Sequence, residues 1–201
     1  MSAASPFARP GARELQRQET RARLFEAALT EFARVGFDRA SVAGIARAAD
    51  VSRPSFYFHF PTKEHVLLEL QWQKELELVE RIRDCTSLAQ MLDVLPDALV
   101  DAFESVEGET ARDMLRIYAR RPADLPLDDQ PFPAVHEVTR HFVTGAARGE
   151  LRPGLAPERA AVLCLSSVFG YLMAAPLEGE RRRDLRDIVT LYLAAPRSPS
   201  R

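Results

Sequence analysis

The stretch 53–59 carries Arg53, Pro54, Ser55, Tyr57, Phe58 and His59, directly after Ser52. These side chains suit the reading of a nucleic-acid duplex. Arginine can pair bidentately with guanine, serine can bond either base type, and the apolar edge of proline can pack on a thymine methyl. Tyr57 and His59 can donate to phosphates. Lys63 adds a cation at a helix start, where free backbone N–H groups also favour a phosphate. Phe56 and Phe60 stand four apart on the opposite side and are assigned to the core. Taken alone, His59 would more often be a surface or capping histidine.

Short helical elements must hold that set in place. A first helix is predicted over about Arg17–Val35, with Leu24, Ala28 and Phe32 on one face and Gly36 as its stop. Ser41 is a good N-cap for a second helix ending near Ala49, and it is counted with the contact set. Val42, Ile45 and Ala46 form that helix's inner stripe. Asp50 stands where a tight turn needs a left-handed residue, which aspartate tolerates better than most. Ser52 caps a third helix over about Arg53–Phe58, with Pro54 in its first turn, where a missing N–H costs little. Two helices joined by such a turn form a helix-turn-helix, whose second helix enters the major groove.

From Thr62, expected to cap a fourth helix reaching about Asp84, the chain shows only helical periodicity. Leu68, Trp72, Leu76, Val79 and Ile82 form the fourth stripe. Leu88, Leu92, Leu95, Leu99 and Phe103 form the fifth, with Pro96 as a kink or break. Met114, Leu115 and Tyr118 mark a sixth helix. Pro122, Pro126, Pro131 and Pro133 enforce an irregular loop. Val135, Val138 and Phe142 mark a seventh helix ending near Gly149. Two more cover 157–175 and 181–195. No stretch alternates with period two, so no sheet is expected. The fold class is therefore all-α, with a disordered tail over 1–13, a helix-turn-helix domain over 14–61 and a larger helical domain over 62–201.

Composition narrows the function classes. Of 201 residues, 46% are hydrophobic and 28% charged, as in ordinary globular proteins. The overall charge of −2 conceals a division: residues 1–63 hold ten basic and six acidic residues, while residues 64–201 hold seventeen and twenty-three. A basic head on an acidic body suits DNA binding at one end. No long uncharged apolar run suggests a transmembrane span, and the N-terminus lacks a secretory h-region, so a cytoplasmic protein is expected. Cys85 and Cys164 lie far apart, which disfavours a disulfide framework or a zinc site. His136 and His141 are five apart and miss the spacing that puts two ligands on one helical face. No coherent nucleophile and base, no phosphate-binding loop and no cofactor signature appear. An enzyme is not expected. A helical adaptor that binds only proteins is the alternative reading.

The stretch from Gly36 through Ser41-Val42, Ile45-Ala46, Ala49-Asp50-Val51-Ser52, Ser55-Phe56-Tyr57, His59-Phe60, Lys63-Glu64 and Leu67 resembles the tetracycline-repressor-like (TetR) family of bacterial transcription regulators. The motif covers about residues 20–70. Two positions depart from the family pattern: Asp50 replaces the usual turn glycine, and Pro54 occupies a place often held by glycine, which alters the base-reading surface. The resemblance implies a homodimer of about nine helices per chain. It implies that the first three read DNA, that helices four to seven enclose an effector pocket, and that the last two pair with their symmetry mates. It also implies repression released by a small-molecule effector.

The residues of the body add their own indications. The segment AAVLCLSSVFGYLMAA mixes large apolar residues with Ala, Ser and Gly, which permits close helix approach. Val162, Leu165, Phe169, Leu172, Leu185, Ile188 and Tyr192 are the expected dimer interface, and a palindromic operator calls for that symmetry. The expected pocket lining is Trp72, Phe103, Tyr118, His136, Phe142 and Phe169. The shortage of charge in these helices points to an apolar effector.

Overall fold

The computed structural model describes residues 11–106, 109–120, 133–174 and 180–194, with the backbone alone for 118–120. Most of the expected tail and of the expected proline-rich loop lies outside the described residues. Among the described residues there are nine helices: α1 (Ala12–Val35), α2 (Val42–Ala48), α3 (Arg53–His59), α4 (Glu64–Ile82), α5 (Leu88–Glu104), α6 (Thr110–Arg120), α7 (Pro133–Ala147), α8 (Pro157–Ala174) and α9 (Arg181–Thr190). They show no strand, only an isolated antiparallel bridge between Leu151 and Leu193. The all-α expectation holds. The chain divides into two compact units, one reaching to Leu67 with the short segment 108–110, the other formed by 68–107 and 111–201.

The first unit is built on buried Leu24, Phe25, Ala28 and Phe32 of α1, Ile45 and Ala46 of α2, and Phe56 and Phe60. Helix α1 starts at Ala12, earlier than its apolar stripe suggests. Glu14 ties the extra turns together by accepting from Arg17 at 2.9 Å and Gln18 at 3.0 Å. It ends at Gly36, whose φ of 82° suits a residue without Cβ.

The second unit has a core of α5, α7, α8 and α9. Ser87 caps α5, its Oγ accepting from Gln90 N at 3.1 Å, while Glu150 accepts from Leu88 N at 2.6 Å. Pro96 lies inside α5, which runs on to Glu104 rather than breaking. Gly149 at φ 72° ends the turn after α7, with Glu150 N bonding back to Gly145 O at 2.9 Å. Helix α9 stops at Thr190, short of the expected 195, and Tyr192 follows it in a turn. Buried His141 bonds Ile82 O through Nε2 at 2.9 Å and so joins α7 to the end of α4. Burial and neighbouring Arg140 push its imidazole pKa down, which favours the neutral form.

Two features from α4 onward depart from the apolar periodicity. On α4 the buried residues are Val66, Leu67, Leu70, Glu75, Leu78 and Ile82, and Leu76 is 42% exposed. Consecutive apolar residues at 66–68 allow two phases for the stripe, and packing selects the other one. The second feature is ionic. Asp93, Asp97 and Asp101 recur every four residues on α5, opposite Arg182 and Arg186 of α9. Arg182 bonds Asp101 at 2.7 Å and Asp97 at 3.3 Å, Arg186 bonds Asp93 and reaches Asp97 at 3.3 Å, and Arg81 bonds Asp101 at 2.6 Å. Arg81 first, and then Arg182, hold the Asp101 carboxyl below the usual carboxylate range. These pairs are largely exposed, so each adds little alone, and their value lies in the register they fix between α5 and α9.

Gly145 marks a close approach of α7 to α5: a Cβ there would lie 2.6 Å from Leu88 Cβ. Gly145→Ala is expected to destabilise the chain by about 1–3 kcal/mol through overpacking. At Gly170 on α8, a Cβ would meet nothing within 4 Å. Gly170→Ala should therefore melt no lower than wild type, and calorimetry on the pair checks the contrast.

Candidate nucleic-acid interface and ligand cavity

Helix α2 is capped as expected, with Ser41 Oγ accepting from Gly44 N at 3.0 Å. Its far end closes in a double hydrogen bond: Val51 N to Ala46 O at 2.9 Å and Asp50 N to Arg47 O at 3.1 Å. Asp50 sits between them at φ 54°, the one non-glycine residue with positive φ among those described. This is the left-handed helix stop usually filled by glycine. Ser52 Oγ then accepts from Ser55 N at 3.3 Å and starts α3, with Pro54 in the first turn. Phe56 and Phe60 are fully buried, their ring centroids 5.8 Å apart.

Burial of those two rings turns the remaining face of α3 outward. Arg53, Pro54, Tyr57 and Phe58 are exposed, Phe58 by 73%. Arg53 rests against Tyr57, donating to its hydroxyl at 3.3 Å. Ser55 is half-buried and less available than its neighbours. His59 is also half-buried. Burial, then Arg21 and Arg17, lower its pKa, so near neutral pH it would serve as a neutral donor. Arg21 of α1 donates to the His59 carbonyl and places its guanidinium 4.1 Å from the Phe60 ring centre. That contact holds the end of α3 against α1.

Lys63 has a different task from the phosphate contact expected of it. Its ammonium donates to Phe37 O at 2.6 Å, Asp38 O at 3.2 Å and Ala40 O at 3.3 Å, and lies 4.4 Å from the Phe37 ring centre. An ammonium has three donors, and the carbonyls of the loop between α1 and α2 match all three. The signal for this was the fold of the loop, which no local pattern reveals. Thr62, expected to cap α4 through the backbone, instead bonds the His65 ring at 3.0 Å. Arg47 stands outside the expected contact set, yet it is exposed at the end of α2 and lines the same shallow groove as Asp50, Ser52 and Arg53.

The second unit holds a cavity of about 400 Å³ among α4, α5, α6, α7 and α8. Leu78, Leu99, Leu115, Val135 and Phe169 supply much of its apolar wall; Gln71, Glu75 and Ser166 supply the polar part. Of the residues expected to line it, Phe169 does. Phe142 is instead fully buried core, its ring 5.8 Å from that of Tyr192. Phe103 lies under the Arg181 guanidinium at 5.2 Å. His136 is exposed and Trp72 half-buried, both away from the cavity lining. The Tyr118 side chain lies outside the described residues. Aromatic size pointed to these residues, but helix phase decides which side chains meet a cavity.

Of the expected dimer residues, Leu172 and Leu185 are buried within the chain itself, Leu165, Phe169, Ile188 and Tyr192 are half-buried, and Val162 is 53% exposed. Leu163 at 44% and Leu191 at 57% are exposed large apolar residues outside the expected interface. Cys164 points into the core, and burial pushes its thiol pKa up to about 12, so it is an inert packing residue.

Residues 24–70, which span the whole α2–turn–α3 arrangement, match the profile of the bacterial regulatory proteins, tetR family. Its DNA-reading head, over those residues, is that of the TetR family. The chain is 25% identical over 197 residues to the HTH-type transcriptional regulator AcrR of Shigella flexneri, with 88% of each chain covered. A crystal structure of a TetR-family regulator from Mesorhizobium loti superposes with a TM-score of 0.63 at 18% identity, covering 88% of this chain and 96% of that one. The SmeT–triclosan complex superposes at 0.57 with 23% identity, covering 87% and 91%. Like its TetR-family relatives, the chain is a DNA-binding transcriptional regulator.

Within this TetR-family head, Lys63→Met is expected to lower the melting temperature while leaving the salt dependence of DNA binding unchanged, because it removes the carbonyl clamp and no phosphate partner. Arg47→Ala should leave stability unchanged and flatten the log–log salt dependence by about one unit for each phosphate that Arg47 neutralises. Binding isotherms at several salt concentrations separate the two; a flattened slope for Lys63→Met would return that residue to the phosphate set.

Proposed function

We propose that the chain is a cytoplasmic, ligand-responsive repressor that binds a palindromic operator as a homodimer and is released by a small, largely apolar effector. The observation that carries the DNA-reading part is the outward face of α3. Two buried phenylalanines leave Arg53, Pro54 and Tyr57 as a rigid, exposed set directly after a capped helix start. In this reading Arg53 pairs with a guanine edge, Pro54 and Phe58 pack on apolar base surface, and Ser41, Ser52, Ser55, Tyr57 and His59 position the backbone. Arg47 takes the phosphate role first expected of Lys63.

The apolar cavity supports the effector part, and its volume falls in the range of small-molecule sites. SmeT, the structural relative in complex with triclosan, is compatible with an apolar effector here. Dimerisation is assigned to the exposed strip of α8 around Val162 and Leu163, together with Leu191 after α9. The buried Leu172 and Leu185 support that surface from beneath.

Gel-shift titration with DNA from upstream of its own gene should show one sharp complex that random DNA does not compete away. Arg53→Ala should cost about 1–3 kcal/mol per half-site and relax preference at one base pair. Equal loss on specific and random DNA would place Arg53 on phosphate instead. Sedimentation should give a dimer, and Leu163→Glu a monomer. A stable wild-type monomer at micromolar concentration would overturn the homodimer. An effector that lowers operator affinity must itself be weakened by operator DNA by the same factor.

A further inference from the structure

The centre of the outward face of α3 is apolar. Successive helical residues turn by about 100°, so Pro54 and Phe58 lie on the side opposite buried Phe56 and Phe60. Phe58 is 73% exposed, more than any other large apolar residue described, and its ring meets the His59 ring edge-on at 5.1 Å. The polar groups keep to the flanks. Arg53 and Tyr57 hold one side, joined by a hydrogen bond at 3.3 Å; half-buried Ser55 and His59 hold the other. Neither a prolyl nor a phenyl ring can donate to a phosphate or to an acceptor on a base edge. On a helix that enters the major groove, the apolar counterpart of such side chains is the C5-methyl group of thymine.

We infer that Pro54 and Phe58 form a ridge that reads thymine methyls, with Phe58 as the larger contact, beside the base pair read by Arg53. The two side chains stand one helical turn apart, about 6 Å along the axis. Base pairs rise about 3.4 Å each, which places two methyls within about three consecutive base pairs. The inference rests on α3 as the base-reading helix and names the group read at its centre. Operator preference is then set by buried methyls as well as by hydrogen bonds, and Phe58 is a specificity-determining residue.

The test begins with selection of sites from a random duplex pool by the full-length protein. The enriched sequences should share two thymines within about three base pairs. One selected duplex is synthesised with those thymines, and again with deoxyuridine in their place. That exchange removes the methyl groups and keeps every base-pair hydrogen bond. Wild type should prefer the thymine duplex by about fourfold for each methyl buried. Phe58→Ser should shrink that preference by about fourfold, whereas Phe58→Leu, which keeps an apolar group, should retain most of it. Should Phe58→Ser fail to fold, the wild-type preference and Pro54→Ala, which should shrink it in the same direction, carry the test. Equal wild-type affinity for the two duplexes overturns the inference and leaves α3 a reader of polar base edges. Equal losses on both duplexes for Phe58→Ser place its ring on the sugar–phosphate backbone and also overturn it, as does an enriched set without the thymines. A pool that yields no enriched sequence rejects α3 as a base reader, and the inference with it.

Discussion

Burial of Phe56 and Phe60 is the constraint on which the reading head depends. A seven-residue helix is too short to persist in water by itself, because the cost of starting it is spread over too few bonds. Two rings at i and i+4, both fully buried, fix its rotation as well as its existence. Once that rotation is set, Arg53, Pro54, Tyr57 and Phe58 have no inward choice. The Ser52 cap and Pro54 set where the helix begins, so the exposed set starts at its N-terminal end, the end that meets bases in a helix-turn-helix.

Three cationic or strained features support that packing by engaging the backbone around it. Lys63 gathers three carbonyls of the α1–α2 loop, and Arg21 holds the last carbonyl of α3. Asp50 accepts a left-handed backbone so that α2 can stop and α3 can leave at an angle. Each satisfies or redirects backbone groups that a tight turn would otherwise leave unpaired. The first unit thus devotes two of its basic residues to its own architecture, and its cationic surface is smaller than its charge count suggests.

The second unit resolves a different tension. Its helices must pack closely enough to be stable yet leave an unfilled, partly open volume between them. Close approach is concentrated where Gly145 meets Leu88 and where the α9 arginines register on the α5 aspartates. The space among α4, α5, α6, α7 and α8 is left to side chains that do not fill it. Gln71, Glu75 and Ser166 are the polar residues on its wall.

Local sequence was enough to specify the helices, most of their caps and the identity of the reading head. Those features follow from short-range rules: Ser41 and Ser52 cap because their hydroxyls reach the N–H three residues on, Asp50 turns because its side chain tolerates positive φ, and Phe56 and Phe60 share a face because they are four apart. Tertiary packing settled whatever depends on which face of a helix meets which neighbour. Apolar residues at 66–68 let α4 be phased two ways, so periodicity placed Trp72 and Leu76 in a stripe that packing did not use. Lys63 reads as a surface cation until a loop 23 to 26 residues earlier brings its carbonyls alongside. Cavity lining is the extreme case. A cavity is the space that several helices leave between them, so no single helix records whether its large side chains, such as Phe103 and Phe142, fill that space or pack elsewhere.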